Sequence, residues 1–193
     1  MYLLNGAVIT SASDLTAASN CEFAFVRRLD VKLGRLEAVF VEPDAMLERT
    51  GRLGDAHEAA VLARLKTAHG PGVVEIARPD IRDAEALASA VEQTAHAFAS
   101  QADVVFQATF FDGAFVGFAD FIVRTDDGRY QVRDSKLARS AKVTALLQLA
   151  AYYEQLQKMG IPTADTVSLI LGDGEVSEHD IRDILPVYRH RRE

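Results

Sequence analysis

Phe115-Val116-Gly117-Phe118-Ala119-Asp120-Phe121-Ile122-Val123, followed by Asp126-Asp127-Gly128 and then Tyr130-Gln131-Val132-Arg133-Asp134-Ser135-Lys136, is the stretch on which the fold turns. Near Asp103 the apolar residues stop recurring at helical spacing and begin to alternate, and the composition shifts to Val, Phe, Ile and Tyr. Strands are expected over about 104–111, 114–124 and 129–136, separated by the hairpin signals Asp112-Gly113 and Asp126-Asp127-Gly128. An antiparallel meander follows. The run through Asp120 is otherwise apolar, as a strand buried on both faces would be. A carboxylate there is costly without a partner.

The second turn sets the register. A three-residue loop with Gly128 in the left-handed conformation pairs Thr125 with Arg129, and counting back puts Asp120 opposite Asp134. A two-residue turn would instead send the two carboxylates to opposite faces. Gly128 stands where the three-residue loop needs glycine, so that register is the favoured one. Like charges opposed across strands repel unless a cation lies between them. A hydrogen-bonded buried Asp is the plainer alternative.

Asp134-Ser135-Lys136 ends the third strand, where alternation puts Asp134 and Lys136 on one face. The spacing alone says little, because Asp30-Val31-Lys32 has it too, in an expected helix. Outward from the meander, Ser140 opens a helix carrying Val143, Leu146, Leu147, Ala150, Tyr153 and Leu156, closed by Gly160 with Pro162 beyond. Gln148 and Tyr152, four apart, share a face of it. A last strand is expected over Val167–Leu171, turning at Asp173-Gly174.

Toward the N-terminus, Ser11 or Ser13 caps one expected helix bearing Leu15, Ala18, Cys21, Phe25 and Leu29, with Cys21 as a core residue. Residues 37–50 read as irregular around Pro43. Helices are expected over Asp55–Ala68, ended by Gly70-Pro71-Gly72, and over about Asp83–Ser100, which is rich in alanine. His57, next to Glu58 on the first of these, is a fair metal ligand, though a lone histidine is more often structural. His69, His96, His179 and His190 have no comparable company.

The chain of 193 residues, 49% hydrophobic, is long enough for one well-cored domain, so residues 1–193 are read as a single domain with a mixed sheet, an α/β sandwich. No apolar run approaches the roughly 18 residues of a membrane span and no secretion signal opens the chain, so a cytoplasmic location is expected. One cysteine excludes a disulfide framework and a multi-cysteine zinc or iron–sulfur motif. The formal charge of −7 opposes nonspecific nucleic-acid binding, although local basic residues such as Arg133, Lys136, Arg139 and Lys142 can coexist with it. The polar ending Tyr188-Arg189-His190-Arg191-Arg192-Glu193 reads as the opening of another element, as in an N-terminal piece of a longer polypeptide.

Four stretches, Gly54-Asp55-Ala56-His57-Glu58, Gly117-Phe118-Ala119-Asp120-Phe121, Asp134-Ser135-Lys136-Leu137-Ala138-Arg139 and Gln148-Leu149-Ala150-Ala151-Tyr152, together resemble the RecB-like branch of the PD-(D/E)XK nucleases, and within it a bacterial RecB-like group. That resemblance implies a restriction-endonuclease-like sandwich and a metal-dependent nuclease acting on single-stranded or end-bearing DNA in repair, recombination or processing. It implies Mg²⁺ or Mn²⁺ held by His57, Asp120, Asp134 and the Ser135 carbonyl, with Lys136 acting on the attacking water and Gln148 and Tyr152 positioning. Hard oxygen donors and one imidazole suit those ions. Relatives that carry an iron–sulfur cluster use one early and three late cysteines; with Cys21 alone, none is expected here. The resemblance also implies a C-terminal RNase H-like or helicase-like region, or a separate helicase partner. The alternative from a different class is a catalytically weak or inactive nuclease-fold module that binds DNA ends or docks a partner.

Overall fold

The structure, a computed structural model, describes residues 1–4, 6–40 and 42–192. The meander forms as expected: β4 (Val104–Phe111), β5 (Phe115–Arg124) and β6 (Tyr130–Ser135) run antiparallel in sequence order. Gly128 adopts φ 81°, its N–H donates to the Thr125 carbonyl at 2.8 Å, and the Thr125 N–H donates to the Arg129 carbonyl at 2.7 Å. This is the three-residue loop. The ladder runs from Arg124 with Tyr130 to Phe121 with Arg133, and the same register carried one residue further sets Asp120 opposite Asp134.

Around the meander, a sheet of eight strands is assembled by hairpins and helical crossovers. On one side, β3 (Val73–Glu75) runs parallel to β4, with α4 (Ala84–Ala99) crossing between them. On the other, β6 pairs in parallel with β7 (Thr166–Ile170) through the crossover helix α5 (Val143–Lys158), and β7 turns back into β8 (Val176–Asp180). Parallel neighbours require such crossovers, and the sheet is therefore mixed. Ahead of it, β1 (Tyr2–Leu4) and β2 (Ala7–Ser11) make a hairpin, and β2 runs parallel to the start of β5 through Thr10 with Phe115 and Ser11 with Val116.

Both faces of the sheet are covered. Val104, Phe121, Val123 and Ile170 pack with Val61 of α3 (Ala45–His69), whereas Val105, Ile122, Val132, Val167 and Leu169 pack with α4 and α5. Successive residues point to opposite faces of a strand, so two buried faces need an unbroken apolar run. The architecture is a mixed α/β sandwich. No helix among the described residues is long and apolar enough to cross a membrane.

Several elements depart from the pattern of the sequence. The expected N-terminal helix is two, α1 (Ala12–Asn20) and α2 (Glu22–Lys32), broken at Cys21, which adopts extended backbone and whose sulfur accepts the Ala24 N–H at 3.4 Å. Cys21 is exposed and caps α2; it is not a core residue. Its apolar neighbours at helical spacing conceal the break. Ser11 does start α1, with Asp14 accepting its N–H at 2.8 Å.

The helix α3 begins at Ala45, ten residues before the expected Asp55, because Asp44 caps it by accepting the N–H groups of Met46 and Leu47. Residues 42–53 are exposed throughout, so this overhang has no apolar stripe to read, and good helix formers plus a cap hold it. The last strand is followed by β8, and the polar ending belongs to the helix α6 (Ile181–Arg192), which buries Ile181, Ile184 and Tyr188 despite Pro186 within it. Arg133 makes no patch with Lys136: its Nε donates to Gln131 at 2.7 Å and it is half-buried.

The β4–β5 turn hangs on Asp112, whose Oδ1 accepts the N–H groups of Ala114 at 3.1 Å and Phe115 at 2.8 Å, while Oδ2 meets Lys158 at 2.6 Å and Gln155 at 3.3 Å. Partial burial works against the charged carboxylate, but Lys158 and these donors outweigh it and bring its pKa down to about 2. A depressed carboxyl pKa contributes stability above the unfolded-state value, lost as pH falls through the folded one. Asp112→Asn should therefore cost about 1–2 kcal/mol near neutrality, discounted for solvent screening, and the gap to the parent should close as pH falls from about 4 to about 2. Urea titrations across that range check this; a gap independent of pH would contradict it.

Candidate functional site

Asp120 and Asp134 stand opposite each other where the sheet divides, one residue beyond the end of the β5–β6 ladder. Toward its C-terminal end β5 is flanked by β6; at its start it is flanked by β2 instead. Between them, Gly117 to Ala119 pair with β4 on one side and have no ladder partner on the other, and Asp120 is in no ladder pair. Side chains from both helical layers reach this opening, Glu58 from α3 and Gln148 and Tyr152 from α5.

Tyr152 fills the gap that a strand would fill. It is 4% exposed, takes the Phe118 N–H on its hydroxyl and receives the Gln148 amide at 3.3 Å. Burial raises its pKa well beyond the usual tyrosine range, with Asp134 and Asp120 adding to the rise, so the hydroxyl stays protonated. Gly117 makes room: a Cβ there would stand 2.7 Å from the Tyr152 ring. Glycine is thus a packing requirement of the tyrosine.

Asp134 is 1% exposed, and neither carboxylate oxygen has an aligned hydrogen-bond donor. Lys136 Nζ approaches Oδ2 to 2.5 Å, an ion-pair distance without hydrogen-bond alignment. Burial and then the neighbouring Asp120 raise the Asp134 pKa well above the ordinary carboxylate value, against the pull of Lys136. Asp120 is half-buried, less enclosed than its apolar surroundings imply, and its Oδ2 accepts the Ser135 N–H at 3.1 Å and the Ser135 hydroxyl at 3.3 Å. The backbone of the Asp-Ser-Lys segment thereby clamps the opposing carboxylate.

Lys136 is opposed by burial, yet Asp134, Asp120 and Glu58 outweigh it and hold its pKa above the ordinary lysine value. It is a fixed cation at neutral pH. Glu58 is raised by burial and then by Asp120, and its Oε1 accepts the Gln107 amide at 3.0 Å. Glu58 and Gln107 are the members of the cluster that sequence pattern did not single out. Glu58 was visible only as the neighbour of His57, and Gln107 has no signal beyond being polar inside an apolar strand.

His57 takes a different position. Its Nε2 lies 3.3 Å from the Ile170 carbonyl, which also accepts the Lys136 N–H at 2.9 Å. Among the described residues no three His, Cys, Asp or Glu side chains converge as a metal-holding group, so His57, Asp120 and Asp134 are not gathered in one set here. In chemical type the donors nevertheless suit a hard divalent cation: opposed carboxylates, two buried oxygens without aligned donors and a third acid nearby. Beside them a cavity of ≈ 220 Å³ opens between the loop after β6 and the start of α5, with Lys136, Ser140, Lys142, Thr144 and Gln148 in its wall.

No protein-family model matches the chain, and no curated protein matches it in sequence. Among solved structures, the crystal structure of SSO0001 overlaps 95% of this chain and 75% of its own, at 15% identity and a TM-score of 0.39. An overlap that loose does not define a fold family.

The raised carboxyl of Asp134 has a measurable consequence. A group whose folded pKa is raised contributes stability that is fully present below the unfolded value and lost as pH rises through the folded one. At neutral pH the ionised Asp134 is therefore a burden on the metal-free fold. Asp134→Asn should raise the melting temperature in chelator near pH 7.5, and the difference should shrink as pH is lowered toward about 4. Thermal melts of the two proteins check it; an Asn variant no more stable than the parent at neutrality would contradict the account.

Proposed function

We propose that this chain is a divalent-metal-dependent nuclease that hydrolyses phosphodiester bonds in DNA, built as a PD-(D/E)XK sandwich of the RecB-like kind. The observation that carries the proposal is Asp120 and Asp134 opposed at the end of the β5–β6 ladder with Lys136 against them, where the buried Asp134 oxygens lack aligned donors. A buried carboxylate pair is costly, and sites that retain one commonly put it to chemical use. Asp120 and Asp134, with Glu58 near, would hold Mg²⁺ or Mn²⁺; the Ser135 carbonyl and His57 remain the further ligands that the sequence resemblance implies. The bound cation would supply Lewis-acid stabilisation of charge on the scissile phosphate.

The chain's own groups supply the rest. Lys136, kept protonated by three carboxylates, acts as a cation and hydrogen-bond donor toward the attacking water and the phosphate oxygens rather than as a base. The Ser135 N–H and hydroxyl fix the direction of Asp120. Gln148 and Tyr152 are positioning residues: the tyrosine holds the open edge of β5 and the glutamine reaches from it into the cavity wall. Lys136 and Lys142 on that wall suit a phosphate backbone entering beside the carboxylates.

The charge of −7 favours a second reading, a module of this fold that docks DNA ends or a protein without cutting. One experiment separates the two. Purified protein with Mn²⁺ or Mg²⁺ should degrade single-stranded or end-bearing DNA, and Asp120→Ala and Lys136→Ala should each lower the rate by at least about 100-fold while circular dichroism and melting stay those of a folded protein. Activity equal to the parent in both variants overturns the nuclease proposal. No cleavage by the parent, with DNA ends still bound, establishes the docking module in its place.

A further inference from the structure

The β4–β5 ladder omits one rung. Phe106 pairs with Phe121 and Ala108 with Ala119, but Gln107 and Asp120 between them are unpaired. The cause is the backbone of Gln107, which has φ 56° in the middle of a strand. A left-handed conformation costs a residue with a Cβ roughly 1–2 kcal/mol, and strands otherwise exclude it. Gln101, the other such non-glycine among the described residues, follows the end of α4, where a reversal of direction explains it. No turn explains Gln107. Backbone strain of this kind persists where surrounding structure holds it, and it gathers at functional sites.

What the strain achieves is a side-chain position. Gln107 is only 9% exposed, and its Nε2 donates to Glu58 Oε1 at 3.0 Å. The amide nitrogen faces Glu58 as the donor, which turns the amide oxygen away from it. That oxygen, Oε1, is buried and has no donor. Among the described residues the buried side-chain oxygens without an aligned hydrogen-bond donor are this one and the two of Asp134, of which Oδ2 has only the ion-pair approach of Lys136, and Gln107 and Asp134 stand across from Asp120 on its two sides. Buried acceptors without aligned donors on both neighbours of one carboxylate match a cation better than a set of empty hydrogen bonds.

We propose that Gln107 completes this site: its side-chain oxygen is a neutral oxygen donor to the divalent cation held by Asp120 and Asp134, and its amide positions Glu58 beside them. The inference rests on the metal-dependent reading above and adds to it a ligand from a third strand. A neutral donor coordinates without adding to the local negative charge, which suits a site already holding three acids.

The test is Mn²⁺ binding to the full chain, by calorimetry and by electron paramagnetic resonance, so that it does not depend on cleavage. Gln107→Gly keeps the left-handed backbone without strain and deletes the amide. It should melt no lower than the parent in chelator and bind Mn²⁺ about 10-fold more weakly or worse. Gln107→Glu restores an oxygen donor and should bind Mn²⁺ within about threefold of the parent or tighter, which a role limited to holding Glu58 would not give. If the parent binds Mn²⁺ and Gln107→Gly binds it equally well, this inference is overturned and the nuclease reading stands. Should Gln107→Gly fail to fold, a Gln107→Glu variant that loses affinity overturns the inference, and one that keeps it supports it. If the parent binds no Mn²⁺, both fall together.

Discussion

Two carboxylates opposed across one rung of an interior sheet are the constraint around which the rest of the molecule is arranged. Asp134 is sealed from water, and Asp120 faces it from the neighbouring strand. Asp134 cannot be ionised there without compensation, and what compensation the chain offers is local. Lys136 follows Asp134 by two residues, and the Ser135 N–H between them points at Asp120. The Asp-Ser-Lys order thus does in three residues what separate elements would otherwise have to do. Moving any one of them by a single position would send its side chain to the other face of β6.

The sheet also has to open at that rung. A continuous β6 alongside all of β5 would leave no approach to the pair, whereas two different strands flanking β5 at its two ends leave residues 117–120 uncovered on one side. An uncovered strand edge inside a protein leaves unsatisfied main-chain groups. Tyr152 answers this by taking the Phe118 N–H, and Gly117 admits its ring. Gln107 answers on the other side of β5, where its left-handed backbone takes a rung out of the ladder. The architecture therefore trades regular pairing for access at this point of the sheet.

The central half of this arrangement was legible from residues alone. Alternation located β4, β5 and β6, and Gly128 fixed the register that matters, because a glycine at the third loop position is a steric requirement with few substitutes. The Asp134–Lys136 pairing and the shared face of Gln148 and Tyr152 followed from the same periodicities. What escaped was of a different physical kind. The break at Cys21 and the exposed overhang of α3 depend on caps rather than on buried stripes, and α6 hides its few core residues among arginines. Gln107 could not be found by pattern, because its conformation contradicts the preference of its residue type. Glu58 could not be separated from His57 without knowing how α3 is rotated over the sheet.

Formal charge at the site carries the argument one step further. Glu58, Asp120 and Asp134 bring three negative charges near the single positive charge of Lys136, leaving two unbalanced. In the absence of a cation the molecule meets this imbalance with protons, and the upward displacement of both Asp134 and Glu58, led by burial and reinforced by Asp120, is its signature. A divalent ion of charge +2 would meet it instead, so protons and metal compete for the same oxygens. Under the proposed function a divalent cation held by Asp120 and Asp134 would meet the charge that Lys136 now meets alone, and the lysine, two residues from Asp134, would be left with a positive charge to offer a phosphate.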